Sequence, residues 1–325
     1  MDRRTSEIRV KRSPDVELAV TTAGEGPLIL LVHGFPESWY SWRHQIEAFA
    51  AAGYRAAALH VRGYGHSSKP REIEAYALTE LAEDIAAVIR SLDPAGALLI
   101  GHDWGALQVQ TAAIIHPDLV KGVAMLSVPA VGHPRELPSS RWRALYPDRL
   151  FYQAYFQAPG IAEAEFEPDL ERFIRLFFVG LSGQGDPFDS PLIRPGNMRG
   201  LLDGLAEPSQ IPAWLAPADI DHYVASFRAG GLTGPLNRYR CADLDWRQLQ
   251  PFADRKIEQP GLFIAGAHDP VRYLIPGFDR YADPVSRMRD VRGVHLLESA
   301  GHWVQQEAPE ATNRLLLPFL GALLS

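Results

Sequence analysis

Short apolar runs alternate along this chain with longer segments of helical period, and this alternation constrains the fold more than any other feature. The runs of strand length are Leu28–Val32, Arg55–Leu59, Ala97–Ile100, Val123–Leu126, Leu262–Ala265 and Val294–Leu297. Between them, the apolar residues of Leu78–Leu92 fall at helical spacing, and Trp104–Ile115 is apolar nearly all round. Apolar strands separated by helices are typical of a parallel sheet covered on both faces. We therefore predict an α/β protein that binds its ligand at the carboxyl ends of the strands.

The rhythm of strands stops in the middle of the chain, from residue 132 to residue 247. This stretch is rich in proline and aromatic residues and is helical in tendency. We predict three parts: residues 1–131 as the first part of an α/β core, residues 132–247 as an inserted helical cap, and residues 248–325 as the second part of the core. The cleft between such units is a preferred place for a ligand.

Charge argues against a nucleic-acid partner. The 325 residues include 32 Lys and Arg against 39 Asp and Glu, for a net charge of −7 at pH 7. A protein that neutralises a phosphate backbone needs a basic excess, which this chain lacks.

Cellular location follows from the termini, the apolar runs and the cysteine count. The chain stays charged through Lys11 and Arg12, so we expect no export signal. No apolar run approaches the roughly 20 residues that span a bilayer. A single cysteine, Cys241, excludes an intrachain disulfide and a multi-cysteine zinc site. We expect a cytoplasmic protein without a membrane span, either a monomer or a homodimer.

The segment Ile100-Gly101-His102-Asp103-Trp104-Gly105 joins a predicted strand to a predicted helix. An isolated Asp before a helix is usually an N-cap. Here glycines flank it and a strand precedes it, as in a nucleophile elbow, where a strained turn exposes the central side chain. Serine usually occupies that position, but the chain contains no Gly-x-Ser-x-Gly segment. We therefore predict Asp103 as the nucleophile.

An aspartate nucleophile changes the reaction. A carboxylate is ionised at neutral pH, needs no base to activate it, and can attack a saturated carbon. The resulting ester can be cleaved by water at its carbonyl carbon, whereas a serine would leave a stable ether. The predicted chemistry is therefore attack on a saturated carbon followed by ester hydrolysis.

A base and an orienting acid are expected later in the chain, after further strands. Asp269 follows Leu262–Ala265, and His302 follows Val294–Leu297. We predict that His302 deprotonates water while Asp269 fixes its tautomer. Taken singly, Asp269 could be a turn residue and His302 a buried core histidine. His268 is a rival base, but it comes one strand too early.

The oxyanion of the ester-hydrolysis step requires backbone donors. The segment His33-Gly34-Phe35-Pro36 follows the strand Leu28–Val32 and forms a suitable donor loop. We predict that the amides of Phe35 and Trp104 supply the two hydrogen bonds.

The chain resembles the epoxide hydrolases of the α/β-hydrolase superfamily from about His33 to Phe319. The matching blocks are HGFPESW from residue 33, RGYGHS from residue 62, GHDWG from residue 101 and GHWVQQE from residue 301. The resemblance implies the α/β-hydrolase fold, with a mostly parallel central sheet flanked by helices and an inserted helical cap.

Two further blocks, FYQAYFQAPG from residue 151 and GPLNRYR from residue 234, match the family in the cap. The resemblance implies that Tyr152 and Tyr239 donate hydrogen bonds to the epoxide oxygen. A tyrosine more often packs than reacts, and Tyr155 is a rival within the first block. His60 replaces an aspartate and Arg238 replaces an aromatic residue of the family pattern. Neither departure removes a reacting group.

The expected activity is the conversion of an epoxide and water to a vicinal diol, with detoxification as one possible role. No metal or organic cofactor is implied, because protein groups supply every step. Phe35, Trp104, Phe156 and Trp303 are expected to bind an apolar or aryl-bearing epoxide. Two alternatives are a haloalkane-type dehalogenase, for which Phe35 offers no side-chain donor to the halide, and a non-catalytic binding module.

Overall fold

A computed structural model describes residues 5–185 and 190–324. Residues 1–4, on which part of the expected absence of an export signal rests, lie outside this range, as do residues 186–189 of the predicted cap. The strands are β1 (Ser6–Lys11), β2 (Glu17–Ala23), β3 (Leu28–Val32), β4 (Arg55–Leu59), β5 (Ala97–His102), β6 (Val120–Leu126), β7 (Arg149–Phe151), β8 (Ile193–Pro195), β9 (Ile257–Gly266) and β10 (Met288–Leu297).

Helices separate most of these strands. They are α1 (Arg43–Ala51), α2 (Leu78–Leu92), α3 (Trp104–Ile115), α4 (Pro138–Leu145), α5 (Tyr152–Tyr155), α6 (Ile161–Phe166), α7 (Leu170–Gly180), α8 (Pro217–Gly230), α9 (Thr233–Arg240), α10 (Ala242–Gln248), α11 (Val304–Glu307) and α12 (Pro309–Leu324).

The described residues form one large sheet in the order β1-β2-β4-β3-β5-β6-β9-β10. From β4 to β10 neighbouring strands are parallel, whereas β2 pairs with β4, and β1 with β2, in the antiparallel sense. The predicted parallel sheet is confirmed. Its central strands place Asp103 and the loop after β3 at the same edge, because the carboxyl ends of parallel strands lie together.

Helices cover the sheet on both faces, as the apolar strands require. Along β3, Leu28, Leu30 and Val32 join the core that includes α2 and α3, while Ile29 and Leu31 join the core beneath α1 and α12. This two-way division follows from the period of two along a strand. A strand buried on both faces leaves no polar side, which explains the continuous apolar run of β3.

The predicted strands and the helices α2 and α3 are present, and some elements were not predicted. The strands β1 and β2 precede the first predicted strand. The expectation that strands stop after residue 132 is wrong in one detail, since β7 and β8 form a small antiparallel pair there.

Between β6 and β9 the chain forms the helices α4 to α10 instead of continuing the sheet. The aromatic residues of this segment pack on one another and on the loop after β3: the ring of Phe35 lies 5.8 Å from that of Phe156 and 5.4 Å from that of Tyr239. The loop that carries Phe35 therefore contacts the helical segment from its place in the core. The boundaries at residues 132 and 247 stay predictions.

Within the part of the chain that the structure describes, no helix combines the length and the apolar character that a membrane crossing needs.

Candidate active site

Asp103 lies in the sharp turn between β5 and α3, with φ of 51° and ψ of −120°. This region is strained for a residue with a side chain. The turn is so tight that a Cβ on Gly101 would collide with the carbonyl of Gly105, and a Cβ on Gly105 would collide with the carbonyl of Val32. The carboxylate projects from the carboxyl end of the sheet and is 15% exposed. Glycine at positions 101 and 105 therefore lets the neighbouring backbone pack closely enough to form this turn.

The loop after β3 holds one oxygen of this carboxylate. The amide of Phe35 donates to Oδ1 of Asp103 over 2.9 Å. The approach is close enough that a Cβ on Gly34 would collide with the same oxygen. Trp104 begins α3, where the first amides of a helix lack partners within that helix. The assignment of both amides to an oxyanion hole stays a prediction.

His302 faces the other oxygen. Its Nε2 lies 3.6 Å from Oδ2 of Asp103, and its Nδ1 lies 3.0 Å from Oδ2 of Asp269. Asp269 is fixed in turn, because its Oδ1 accepts from the amide of Val271 over 2.8 Å. The structure therefore brings together the three residues that the sequence analysis selected from separate loops.

Electrostatics favour a protonated His302 beside a free Asp103 carboxylate. Burial alone would lower the pKa of His302, but the charge of Asp269, the hydrogen bond to Asp269 and the Asp103 carboxylate 3.6 Å away outweigh it and raise that pKa to about 10. The imidazolium sits between two carboxylates. Because Asp103 contributes to raising this pKa, the protonation of His302 depends on whether that carboxylate is charged.

Tyr152 and Tyr239 are both buried beside the elbow. Their rings lie 5.9 Å apart, and that of Tyr239 meets Trp104 edge-on at 5.0 Å. Burial, and then the charge of Asp103, raise the pKa of both hydroxyls well above the usual range. Each hydroxyl therefore keeps its proton at neutral pH. Gln153 donates to the oxygen of Tyr152 over 2.8 Å, which leaves the proton of that tyrosine for another acceptor.

The rival residues lie elsewhere. His268 is exposed, and its backbone amide donates to Ala300 over 3.1 Å. Tyr155 is half-buried, and burial together with a hydrogen bond to Glu165 raises its pKa. Among the contacts of the described residues, neither side chain is paired directly with Asp103.

Of the residues predicted to bind substrate, Trp104 lines a cleft, whereas Phe156 and Trp303 are fully buried. Trp104 lines a cleft of about 300 Å³ between the core and the helical segment, with walls that include Leu107, Trp142 and Trp246. Phe156 is fully buried and packs on Tyr239 at 4.8 Å. Trp303 is also fully buried, stacks on Phe178 at 4.4 Å and donates its indole N–H to the carbonyl of Phe178. Their role in substrate binding stays a prediction.

A buried polar network beneath the site was not predicted. Glu37 accepts from the amide of Gly34 at 2.9 Å and pairs with Nδ1 of His102 at 2.6 Å, while Nε2 of His102 lies 2.7 Å from the carbonyl oxygen of His302. Burial opposes the charge of Glu37, but His102 and the Gly34 amide outweigh it and lower its pKa to about 2. The network links the loop before Phe35 to the loop of His302.

The two departures from the family pattern lie in different places. Nε2 of His60 lies 3.0 Å from the hydroxyl of Thr21, and Nδ1 accepts from the amide of His66, so His60 supports a loop. Glu7, His60 and His66 form the one group of potential metal ligands among the described residues. Because Nδ1 of His60 accepts from the amide of His66, Nε2, which lies 3.7 Å from Glu7, carries the ring proton of neutral His60. The guanidinium of Arg238 lies 4.7 Å from the ring centroid of Trp104 and pairs with Asp245.

Comparison with known proteins agrees with this geometry. Residues 27–189 match the family model described as alpha/beta hydrolase fold. The chain is 42% identical to epoxide hydrolase A of Mycobacterium tuberculosis, with 95% of each chain covered. An epoxide hydrolase from an endophytic Streptomyces superimposes with a TM-score of 0.92 at 40% identity, covering 99% of this chain and 97% of that one. Epoxide hydrolase A from Mycobacterium thermoresistibile gives a TM-score of 0.90 at 44% identity, covering 98% and 99%. The chain has the α/β-hydrolase fold and belongs to the epoxide hydrolases of that superfamily.

Proposed function

We propose that the protein hydrolyses an epoxide to a vicinal diol through an alkyl-enzyme ester on Asp103. One observation carries the proposal: the Asp103 carboxylate is held on a strained corner with the Phe35 amide at one oxygen and the His302 imidazole facing the other. The names of the relatives support the substrate class. The residues of this chain support the route.

Ring opening is the first step. Because Oδ1 is bound by the Phe35 amide, Oδ2 is the oxygen that attacks the epoxide carbon. A C–O bond forms, the ring C–O bond breaks, and its electron pair passes to the epoxide oxygen. Tyr152 and Tyr239 donate hydrogen bonds to this developing alkoxide, and one of them or solvent supplies its proton.

Ester hydrolysis follows. His302 takes a proton from water, and the hydroxide adds to the Asp103 carbonyl carbon while Asp269 stabilises the imidazolium. The oxyanion forms at Oδ1, where the amides of Phe35 and Trp104 receive it. The intermediate then expels the alkoxide of the diol, which recovers the proton from His302. The oxygen of the attacking water remains in the Asp103 carboxyl group, whose proton passes to His302 or solvent and restores the carboxylate.

The high pKa of His302 fits this order of events. In the free protein the Asp103 carboxylate, 3.6 Å from Nε2, helps to raise this pKa. Esterification removes the charge, so the pKa falls and the imidazole becomes available as a base. The base is thereby released only after a substrate has reacted.

Substrate selection falls to Phe35, Trp104, Phe156 and Trp303 in this proposal, with residues 132–247 as the cap over the site. Their aromatic character favours an apolar or aryl-bearing epoxide. A monomeric or homodimeric state, a cytoplasmic location and a role in detoxification stay predictions.

A single turnover of styrene oxide in ¹⁸O-labelled water, followed by peptide mass analysis, tests the proposal. We expect diol and one ¹⁸O in the peptide that contains Asp103. Diol without label in that peptide would mean direct attack of water on the epoxide. No diol from a panel of epoxides, with halide release from a panel of chloroalkanes, would favour the dehalogenase. Absence of both, with a ligand-dependent rise in Tm, would favour a binding module.

A further inference from the structure

Tyr281 contacts the orienting acid but carries no role in the steps above. It lies in the loop before β10 and is 5% exposed. Its hydroxyl oxygen is 2.7 Å from Oδ2 of Asp269 and 2.6 Å from the carbonyl oxygen of Ser127. A hydroxyl has one proton, and both neighbours are acceptors, so the two oxygens compete for it.

The Asp269 oxygen that Tyr281 contacts is the one that binds the base. Oδ2 lies 3.0 Å from Nδ1 of His302, while Oδ1 is occupied by the amide of Val271. The backbone thus fixes the carboxylate independently of Tyr281. Removing the Tyr281 hydroxyl would change the charge at Oδ2 more than its position.

Ser127 contacts both His302 and Tyr281. Its hydroxyl donates to the carbonyl of His302 over 2.7 Å, and its own carbonyl faces Tyr281. Its φ of 64° is one that residues with side chains rarely adopt. A strained backbone in contact with both the base and Tyr281 indicates that the loops after β6, β9 and β10 hold one another in place.

From these contacts we propose that Tyr281 is a positioning residue that tunes the basicity of His302 through Asp269. A second donor on Oδ2 withdraws part of the negative charge that stabilises the imidazolium, so the neutral imidazole becomes easier to reach. The proposal rests on the proposed function, in which His302 is the base for ester hydrolysis.

Other charged groups also face this site and stay constant in the comparison below. Asp103 faces His302 directly, and the ring of His102 lies 4.9 Å from that of His302. On the side of Tyr281, the guanidinium of Arg272 lies 5.9 Å from the ring and is paired with Asp279, and Arg280 adds a second positive charge.

The test is the pH dependence of the ester-hydrolysis step in single turnover, for wild type and Tyr281→Phe. Hydrolysis requires neutral His302, so the rate falls on the acidic side. We call this acidic fall of the hydrolysis rate the acidic limb of the pH–rate profile. Without the Tyr281 donor the limb moves to higher pH by about one unit, and the rate at a fixed pH on the limb falls about tenfold. Ring opening changes less than about threefold, because Asp103 is not contacted by Tyr281. Tyr273→Phe, whose ring is 58% exposed, is the matched control and leaves the limb in place.

A second variant keeps the hydroxyl and guards against a folding defect. Tyrosine fluorinated at ring position 3, placed at residue 281 alone, is a more acidic donor and moves the limb to lower pH. Opposite shifts in the two variants support the proposal. An unchanged limb in either well-folded variant overturns it and leaves Tyr281 with a packing role.

A readout independent of turnover separates this proposal from the proposed function. The proton on Nδ1 of His302, identified as the deshielded NMR signal that His302→Gln removes, moves further downfield in Tyr281→Phe and is unmoved in Tyr273→Phe. If wild type forms no diol, the proposed function fails while this signal still tests the coupling. If diol forms and the signal does not move, only the role of Tyr281 fails.

Discussion

At the scale of single residues, the backbone of Asp103 stores strain. Its φ of 51° is disfavoured for any residue with a Cβ, at a cost of about 1–3 kcal/mol. Both Asp103→Gly and Asp103→Ala lack the carboxylate of the proposed function, and we expect neither to form the proposed ester. Glycine relieves the strain and alanine does not, so the glycine variant should be more stable by about 1 kcal/mol. Urea unfolding of the two variants measures the difference, and equal stabilities would mean that the turn is unstrained.

The two buried tyrosines give a second prediction at this scale. Each of Tyr152→Phe and Tyr239→Phe should slow ring opening by about 10²-fold, because a hydrogen bond to the alkoxide is lost while the packing of the ring remains. The rate of ester formation in single turnover measures the effect. Tyr155→Phe is the control from the same helix and should change this rate little. A loss in Tyr155→Phe equal to that in Tyr152→Phe would contradict the assignment.

At the scale of elements, the loop after β3 approaches the Asp103 carboxylate closely through a glycine. A Cβ at Gly34 would occupy the space of the Asp103 carboxylate. We expect Gly34→Ala to lower kcat by about 10²-fold, because a displacement of about 1 Å at the reacting group has effects of this size. The substitution Gly132→Ala is the matched control, since a Cβ there meets nothing within 4 Å. Steady-state kinetics with circular dichroism separates lost activity from lost fold, and full activity in Gly34→Ala would contradict the close approach.

The strands differ in how well the sequence predicts them. The strand β3 could be predicted because burial on both faces makes every residue apolar. The edge strand β1, with the sequence SEIRVK, is largely exposed and alternates charged with apolar residues, so it gives no comparable run. Strands β7 and β8 have three residues each and depend on their partners.

The same contrast holds within the site. Asp103, Asp269 and His302 follow strands in a recognisable order, and the structure places them in contact. Glu37 lies in a matched block, yet its pairing with His102 depends on the arrangement of loops after β3 and β5. Tyr281 lies in no motif and meets Asp269 only because separate loops converge in three dimensions. Contacts of this last kind are set by tertiary packing and leave no local pattern.

At the scale of the whole molecule, the buried imidazolium links stability to pH. The pKa of His302 is raised to about 10 in the folded protein, above its ordinary value near 6.5. Its contribution to the free energy of unfolding is therefore fully present below about pH 6.5 and is lost as the pH rises through about 10. Wild type should lose more stability than His302→Gln between pH 6.5 and 10, in chemical unfolding at each pH. Parallel curves would show that His302 is neutral in the free protein.

The helical segment between β6 and β9 surrounds the site and, in the proposed function, also supplies reacting groups, and this limits how such an enzyme can evolve. It supplies Phe156 and Trp142 to the surroundings of the site and, in the proposed function, also the hydroxyls of Tyr152 and Tyr239 that donate to the epoxide oxygen. In the proposed function, substrate range and reaction chemistry are therefore inherited together. New specificity should arise by exchange of side chains around two fixed hydroxyls, and transplanting a foreign cap should succeed only when it returns both hydroxyls to the same points above Asp103.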